Sequence, residues 1–308
     1  MRALNNFFWN KLQLLNKKPY VGLDRVQANE LIYEKILSDK PLLVSRLGSS
    51  ECMVALSYKY KYTTSLLTQL KLRSLGAQTK WSEKLQDDFL NKSGFITHNK
   101  SDLETFSKLY ISCFSAIDIL GSWQNGESFF HELDESVKVK LNHLEPYLSD
   151  RPWTRALANK KVLVIHPFSY SILKQYESYK DHLFKDKNVL PNFNLQVYRS
   201  KQTLALESIN NQNWFKNLEA MKRDISKIDF EVALVAAGAY GLPLSFYMKQ
   251  LGKKVIHIGG PLQLLFGIKG KRWESIPSMR KLFNNYWIHP CKEDRIKNLH
   301  FAENGAYW

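Results

Sequence analysis

Apolar and polar positions along the chain fall into two kinds of run. Short, unbroken apolar stretches occupy 42–46 (LLVSR), 161–165 (KVLVI), 232–237 (VALVAA) and 254–258 (KVIHI). Their length and β-branched content predict strands buried on both faces. Weaker strand patterns lie at 94–97, 116–123 and 195–198. Segments of mixed polarity between them predict helices over 27–38, 52–58, much of 63–91, 101–114, 127–144, 172–180, 210–228 and 243–251. Pro243 suits the first turn of its helix, and Gly252 is the expected C-cap. Strands alternating with helices predict an α/β fold with a largely parallel sheet.

Four strand–turn–helix units stand out: RLGSSE (46–51), HPFSYS (166–171), AAGAYG (236–241) and IHIGGPLQ (256–263). In such folds these turns share one edge of the sheet, where ligands bind. That geometry places Arg46, Glu51, His166, Tyr170, Tyr240, Gly259, Gln263 and Lys269 on one side of the molecule. Gly238 with Gly241, and Gly259 with Gly260, precede predicted helices, whose exposed N–H groups attract anions, phosphate above all. Lys269, Lys271 and Arg272 follow at once, so 229–273 reads as half of a nucleotide-type site; the alternative is that the glycines only let the chain turn. In the first unit, Ser49 or Ser50 can cap the next helix. Glu51 is either a first-turn residue favoured by the helix dipole or a ligand for a metal or an acceptor hydroxyl. Arg46 either meets substrate phosphate or carboxylate, or forms a surface ion pair.

Net charge narrows the partners. The 308 residues carry +15, spread along the chain, which favours an anionic partner: phosphorylated substrates, an anionic membrane surface or nucleic acid. No nucleic-acid module is present, so no specific nucleic acid is expected. The fingerprints G-x-G-x-x-G, G-x-x-x-x-G-K-[ST] and G-x-S-x-G are absent, against a standard dinucleotide enzyme, a P-loop NTPase and an α/β-hydrolase. Three cysteines without metal spacing fit a reducing compartment, and no run reaches membrane-span length, so a cytoplasmic protein is expected. Residues 1–20 read as an amphipathic, basic helix, suited to peripheral contact at the inner face of a membrane or to docking on the fold or a second subunit. The expected organisation is an N-terminal helical segment over 1–40 and one domain over 41–308, with the best break, dividing it into two lobes, at 146–152 (PYLSDRP).

SRLGSSE (45–51), PWTRALANKKVLVIHPF (152–168), GAYGLPL (238–244), HIGGPLQLLFGIKGKRW (257–273) and ENGAYW (303–308) carry a resemblance that touches most of the chain. The chain resembles the bacterial glycosyltransferases of the GT-D fold and related proteins of capsule and O-antigen gene sets. The resemblance implies a Rossmann-like domain that binds a nucleotide-sugar donor and moves the sugar to a hydroxyl of a glycan or lipid-linked acceptor. Substrate binding would fall to Arg46, Gly48, Ser49, Tyr170, Gly238, Tyr240, Gly241, Gly259, Gly260, Gln263, Phe266, Lys269, Lys271 and Arg272. Tyr240 or Phe266 would stack on base or sugar, and Glu51 or His166 would take the acceptor's proton. One departure matters. The family carries Asp-x-Glu in the first turn, thought to hold a divalent cation at the diphosphate; here Ser49 stands at the aspartate position and Glu51 remains. Serine is a poor ligand for a hard cation. Either Asp118 or Glu127 completes a Mn²⁺ or Mg²⁺ site with Glu51, or Arg46, Lys269, Lys271 and Arg272 neutralise the diphosphate without metal. The third alternative is a non-catalytic nucleotide-sugar or glycan binding protein in a surface-glycan assembly complex.

Overall fold

The computed structural model describes residues 22–78, 80–96, 99–201, 203, 213–295 and 305–308; the amphipathic segment 1–20 lies outside them. Seven strands form one sheet: β1 (Leu42–Ser45), β2 (Ile119–Ser122), β3 (Val137–Lys140), β4 (Lys161–His166), β5 (Asn194–Arg199), β6 (Val232–Val235) and β7 (Lys254–His257). Their order is β3-β2-β1-β7-β6-β4-β5, and every pairing is parallel. The architecture is α/β and Rossmann-like, as the alternating pattern predicts. Apolar runs are unbroken because both faces are covered. Leu43, Leu120, Leu163 and Val235 enter one core, while Leu42, Val44, Val164, Leu234 and Ile256 enter the other.

Helices α1 (Arg25–Leu37), α2 (Ser49–Tyr62), α3 (Leu66–Ser74), α4 (Glu83–Ser93), α5 (Lys100–Ser112), α6 (Ser169–Leu183), α7 (Trp214–Ile225), α8 (Gly241–Gln250) and α9 (Leu262–Leu265) flank the sheet. Buried residues of α2, α5, α7 and α8 join the first core; those of α1, α6 and α9 join the second. The crossovers after β1 and β6 therefore cover one face and the one after β4 covers the other. The winding reverses between β4 and β6, the position at which parallel sheets open a crevice. Strands from before and after 146–152 share the sheet, since β1 pairs with β7 through Leu42↔Lys254 and Val44↔Ile256.

Three local expectations change. The helix predicted over 127–144 is instead a set of 3₁₀ turns around the edge strand β3, whose sequence VKVK buries only Val139. An edge strand that alternates Val with solvated Lys shows the same mixed polarity as a helix. At 94–97, the described residues 94–96 are not a strand: Gly94 ends α4 at φ 72°, and Phe95 packs among Phe89, Phe106 and Trp214. The helix expected over 210–228 begins at Trp214, where the Asn213 side chain caps it by accepting from Lys216 N–H. No described helix is long and apolar enough to cross a membrane.

Candidate active site

A cleft of about 440 Å³ runs along the C-terminal edge of the sheet. Its walls come from the turns after β1, β2, β4, β6 and β7, from the end of α4 and from the chain's last residues.

The turn after β1 supplies the charged centre. Glu51, in the first turn of α2, is only 8 % exposed, and its carboxylate folds back over Gly48, where a Cβ would collide with it. Gly48 N–H donates to the Tyr110 hydroxyl at 3.3 Å. Burial, then the charge of Glu51, pushes the Tyr110 phenol well above its ordinary range, so it remains a neutral hydroxyl. Arg46 reaches across the edge: its guanidinium carbon lies 5.2 Å from the centre of the Trp123 ring, and a Cβ at Gly259 would stand 3.4 Å from its Nη1. Gly259 has φ 74°, a conformation that suits glycine.

Two histidines end strands here. His257 closes β7 with Nδ1 2.9 Å from Ser45 Oγ; burial, then Arg46, lowers it to about 3. His166 closes β4, and its Nδ1 accepts Phe168 N–H at 2.9 Å. Burial lowers it to about 3, so the ring is neutral. With Nδ1 accepting, the ring proton sits on Nε2. In this tautomer Nε2 is a donor; accepting a proton there would require the other tautomer.

The last residues close the far wall. Arg272 donates from Nη1 to the Tyr307 hydroxyl at 2.8 Å and lies over that ring. Trp308 packs edge-on against Phe168 at 5.1 Å. Gln263 is fully buried; its Nε2 donates to Ile268 O and Tyr307 O, and its Oε1 has no hydrogen-bond partner among the described residues.

Of the residues read from the sequence, Arg46, Gly48, Ser49, Glu51, His166, Gly238, Gly259, Gly260, Gln263 and Arg272 line the cleft. Tyr170, Tyr240, Gly241, Phe266, Lys269 and Lys271 do not. Tyr240 is buried flat against Trp214 at 4.7 Å, and Phe266 is fully buried in the core, so neither can stack on a ligand. Gly241 makes room for the His257 ring, while Gly238, at φ 52°, lies against the Ser93 carbonyl. Lys269 faces Glu274 at 3.9 Å. Both glycine turns thus have packing reasons, and α9 is only four residues long, too short for a strong dipole. At the HPFSYS turn the N-terminus of α6 is already occupied: Asp294 accepts from Ser171 N–H (2.7 Å), Ser171 Oγ (2.6 Å) and Tyr170 N–H (3.3 Å).

The cleft also holds Lys92, Tyr110, Trp123, His257 and Trp308, which the strand–turn–helix reading passes over. Trp123 directly follows β2 and His257 is the last residue of β7, so the strand-end rule, applied to every strand, reaches both. Lys92 and Tyr110 come from helices and have no such signal.

Protein side chains alone do not complete a Mn²⁺ or Mg²⁺ site among the described residues. There, Glu51 is the one side-chain carboxylate lining the cleft, and no group of three His, Cys, Asp or Glu could hold a metal. Asp118 sits at the opposite end of β2, bound to Leu43 N–H and Lys249 Nζ, both at 2.7 Å. Glu127 accepts from Ser122 Oγ, Trp123 N–H and Gln124 N–H and orders its own loop. Hard cations take several oxygen ligands; Glu51 would supply one carboxylate here, and the others would have to come from substrate phosphates and water.

No family profile matches the chain, and no curated protein matches it. Among solved structures it is similar to the selenomethionine-substituted structure of domain of unknown function 1792, at 11% identity over 92% of this chain and 96% of that chain, with a TM-score of 0.40. A similarity of that degree says nothing about activity.

Proposed function

We propose that the cleft binds a nucleotide-sugar donor and transfers the sugar to a hydroxyl acceptor, in cytoplasmic synthesis of a bacterial surface polysaccharide or glycoconjugate at the inner face of the membrane. The observation that carries this reading is a buried carboxylate, Glu51, in a cleft whose other charged side chains among the described residues, Arg46, Lys92 and Arg272, are cationic. Such a site suits a leaving diphosphate beside a single base. The acceptor oxygen attacks the anomeric carbon as the bond to the diphosphate oxygen breaks, and the electron pair leaves on that oxygen. Arg46, Lys92 and Arg272 stabilise the developing charge, and His166 Nε2–H supplies a neutral donor. Glu51 takes the hydroxyl proton. In this reading Arg46, Lys92 and Arg272 neutralise the diphosphate, and no step runs through Mn²⁺ or Mg²⁺.

Thermal shift against a panel of nucleotide sugars, with and without Mn²⁺ or Mg²⁺, tests donor binding; ligand at a hundred times its Kd stabilises the native state by about 2.7 kcal/mol. A folded protein that neither binds nor hydrolyses any of them overturns the reading. Ser49 at the aspartate position of the resembled family favours a second reading, a non-catalytic nucleotide-sugar or glycan binding protein. Glu51→Gln separates the two: it abolishes transfer under the first and leaves glycan assembly intact under the second.

A further inference from the structure

Trp123 is the large aromatic side chain that the cleft leaves most open. It is 42 % exposed, whereas Phe168, Tyr110 and Trp308 in the same walls are buried. Exposing an indole costs hydrophobic stabilisation, and this one is nevertheless held in place. Its Nε1 donates to Leu47 O at 3.0 Å, and the adjacent Gln124 Nε2 donates to the same oxygen at 3.0 Å. Glu127 gathers the N–H groups of Trp123 and Gln124 at 3.3 and 3.2 Å and so sets the loop that presents the ring. Leu47 and Gly48 lead into the first turn of α2, which carries Glu51, so the ring is tied to the same turn as the carboxylate. Arg46 lies over the ring at 5.2 Å.

From this geometry we infer that Trp123 is the stacking platform for a carbohydrate acceptor, the hydroxyl-bearing substrate being a pyranoside docked at the open, β2 end of the cleft. The inference rests on the glycosyl-transfer reading for the identity of the reaction, but not for the binding of the sugar. The C–H face of a pyranose is apolar and flat enough to lie on an indole, while its hydroxyl rim stays free for Arg46 and water. A rigid, half-open aromatic costs little conformational entropy on binding. A nucleobase also stacks on aromatic rings, but Trp123 is hydrogen-bonded to the turn that carries Glu51, the proton acceptor of this reading, and the acceptor hydroxyl must lie near that turn. The opposite end, walled by Phe168, Trp308 and His166, is the closed one.

The experiment uses the full chain, UDP as probe of the donor end, and methyl glucoside, methyl galactoside and methyl N-acetylglucosaminide as probes of the acceptor end. Affinities are read by saturation-transfer NMR and calorimetry for wild type, Trp123→Ala and Trp123→Phe, with melting curves to establish that each variant is folded. At least one glycoside should bind wild type, lose about tenfold in affinity in Trp123→Ala and recover most of it in Trp123→Phe, which restores a ring but not the bond to Leu47. UDP affinity should not change. If Trp123→Ala weakens UDP as much as the glycoside, the ring serves the base and the inference falls. It also falls if no glycoside binds wild type, or if Trp123→Phe loses as much as Trp123→Ala. A Trp123-dependent glycoside in a protein that ignores UDP and every nucleotide sugar sustains the platform and overturns the transferase reading instead.

Discussion

Two helices, α2 and α6, begin at the cleft after the ends of β1 and β4, and the contrast between them separates site from scaffold. Both follow an apolar strand, a short turn and a serine, and by sequence they look equivalent. At α6 a carboxylate from far along the chain, Asp294, takes the first N–H groups and the Ser171 hydroxyl and is itself 1 % exposed. At α2 the N-cap is Gly48, which has no side chain to cap with; Glu51, in the first turn, folds its own carboxylate back over Gly48 and borders the cleft. One helix end is closed by its own protein, and the other presents its carboxylate to the ligand space. Both helix ends thus meet a carboxylate, and what differs is whether that carboxylate borders the cleft.

The largest effect that tests this contrast is at α2. Glu51→Gln should lower transfer about a hundredfold or more while donor affinity holds, measured as nucleoside diphosphate release under saturating donor. A variant of near wild-type rate would remove Glu51 from the chemistry. At α6 the expected loss is of stability. Asp294→Ala leaves three donors unpaired and should cost about 2–3 kcal/mol, read from the denaturant midpoint, with UDP affinity unchanged. Weaker UDP binding by the folded variant would mean that α6 belongs to the site after all.

Next comes pH. His166 and His257 are lowered from 6.5 to about 3 in the folded protein, so folding disfavours their protonation. Their contribution is complete above pH 6.5 and is lost as pH falls toward 3, amounting to about 2 kcal/mol for each by pH 5. Glu145, raised by burial to about 7, acts in the opposite sense, losing stability as pH rises from 4.5 toward 7. The histidine effect is therefore read as the difference between wild type and His257→Asn: the variant should lose about 2 kcal/mol less between pH 7.5 and 5. Equal losses would show that His257 is not held neutral. The smallest effect sorts the basic tail. Arg272→Met should weaken UDP about tenfold and Lys271→Met should leave it unchanged, since Arg272 borders the cleft and Lys271 does not.

The strands with an unbroken apolar run were legible, because a sheet covered on both faces leaves that run wherever a strand crosses it. The edge strand β3 was not, because half of it is solvated and its lysines mimic a helix face. Arg46, Glu51, His166 and Gln263 were found by the rule that strand-to-helix turns share an edge. Tyr240 and Phe266 obey the same rule by position, yet they point into the core, the first stacked on Trp214 and the second edge-on to Tyr176. Position along the chain predicts which edge a residue reaches, and packing decides which way its side chain faces.

What the sequence determined by itself was the layered α/β architecture, the edge on which the cleft opens and the cationic character of the chain, because strand burial, crossover geometry and net charge are local or additive quantities. What only the tertiary structure decided was which helix-end carboxylate borders the cleft, which histidine nitrogen carries the proton and which aromatic stands open. Asp294 meets Ser171 across 123 positions, and Trp123 meets Leu47 across 76. Such pairings depend on how the chain closes on itself, and no local pattern encodes them.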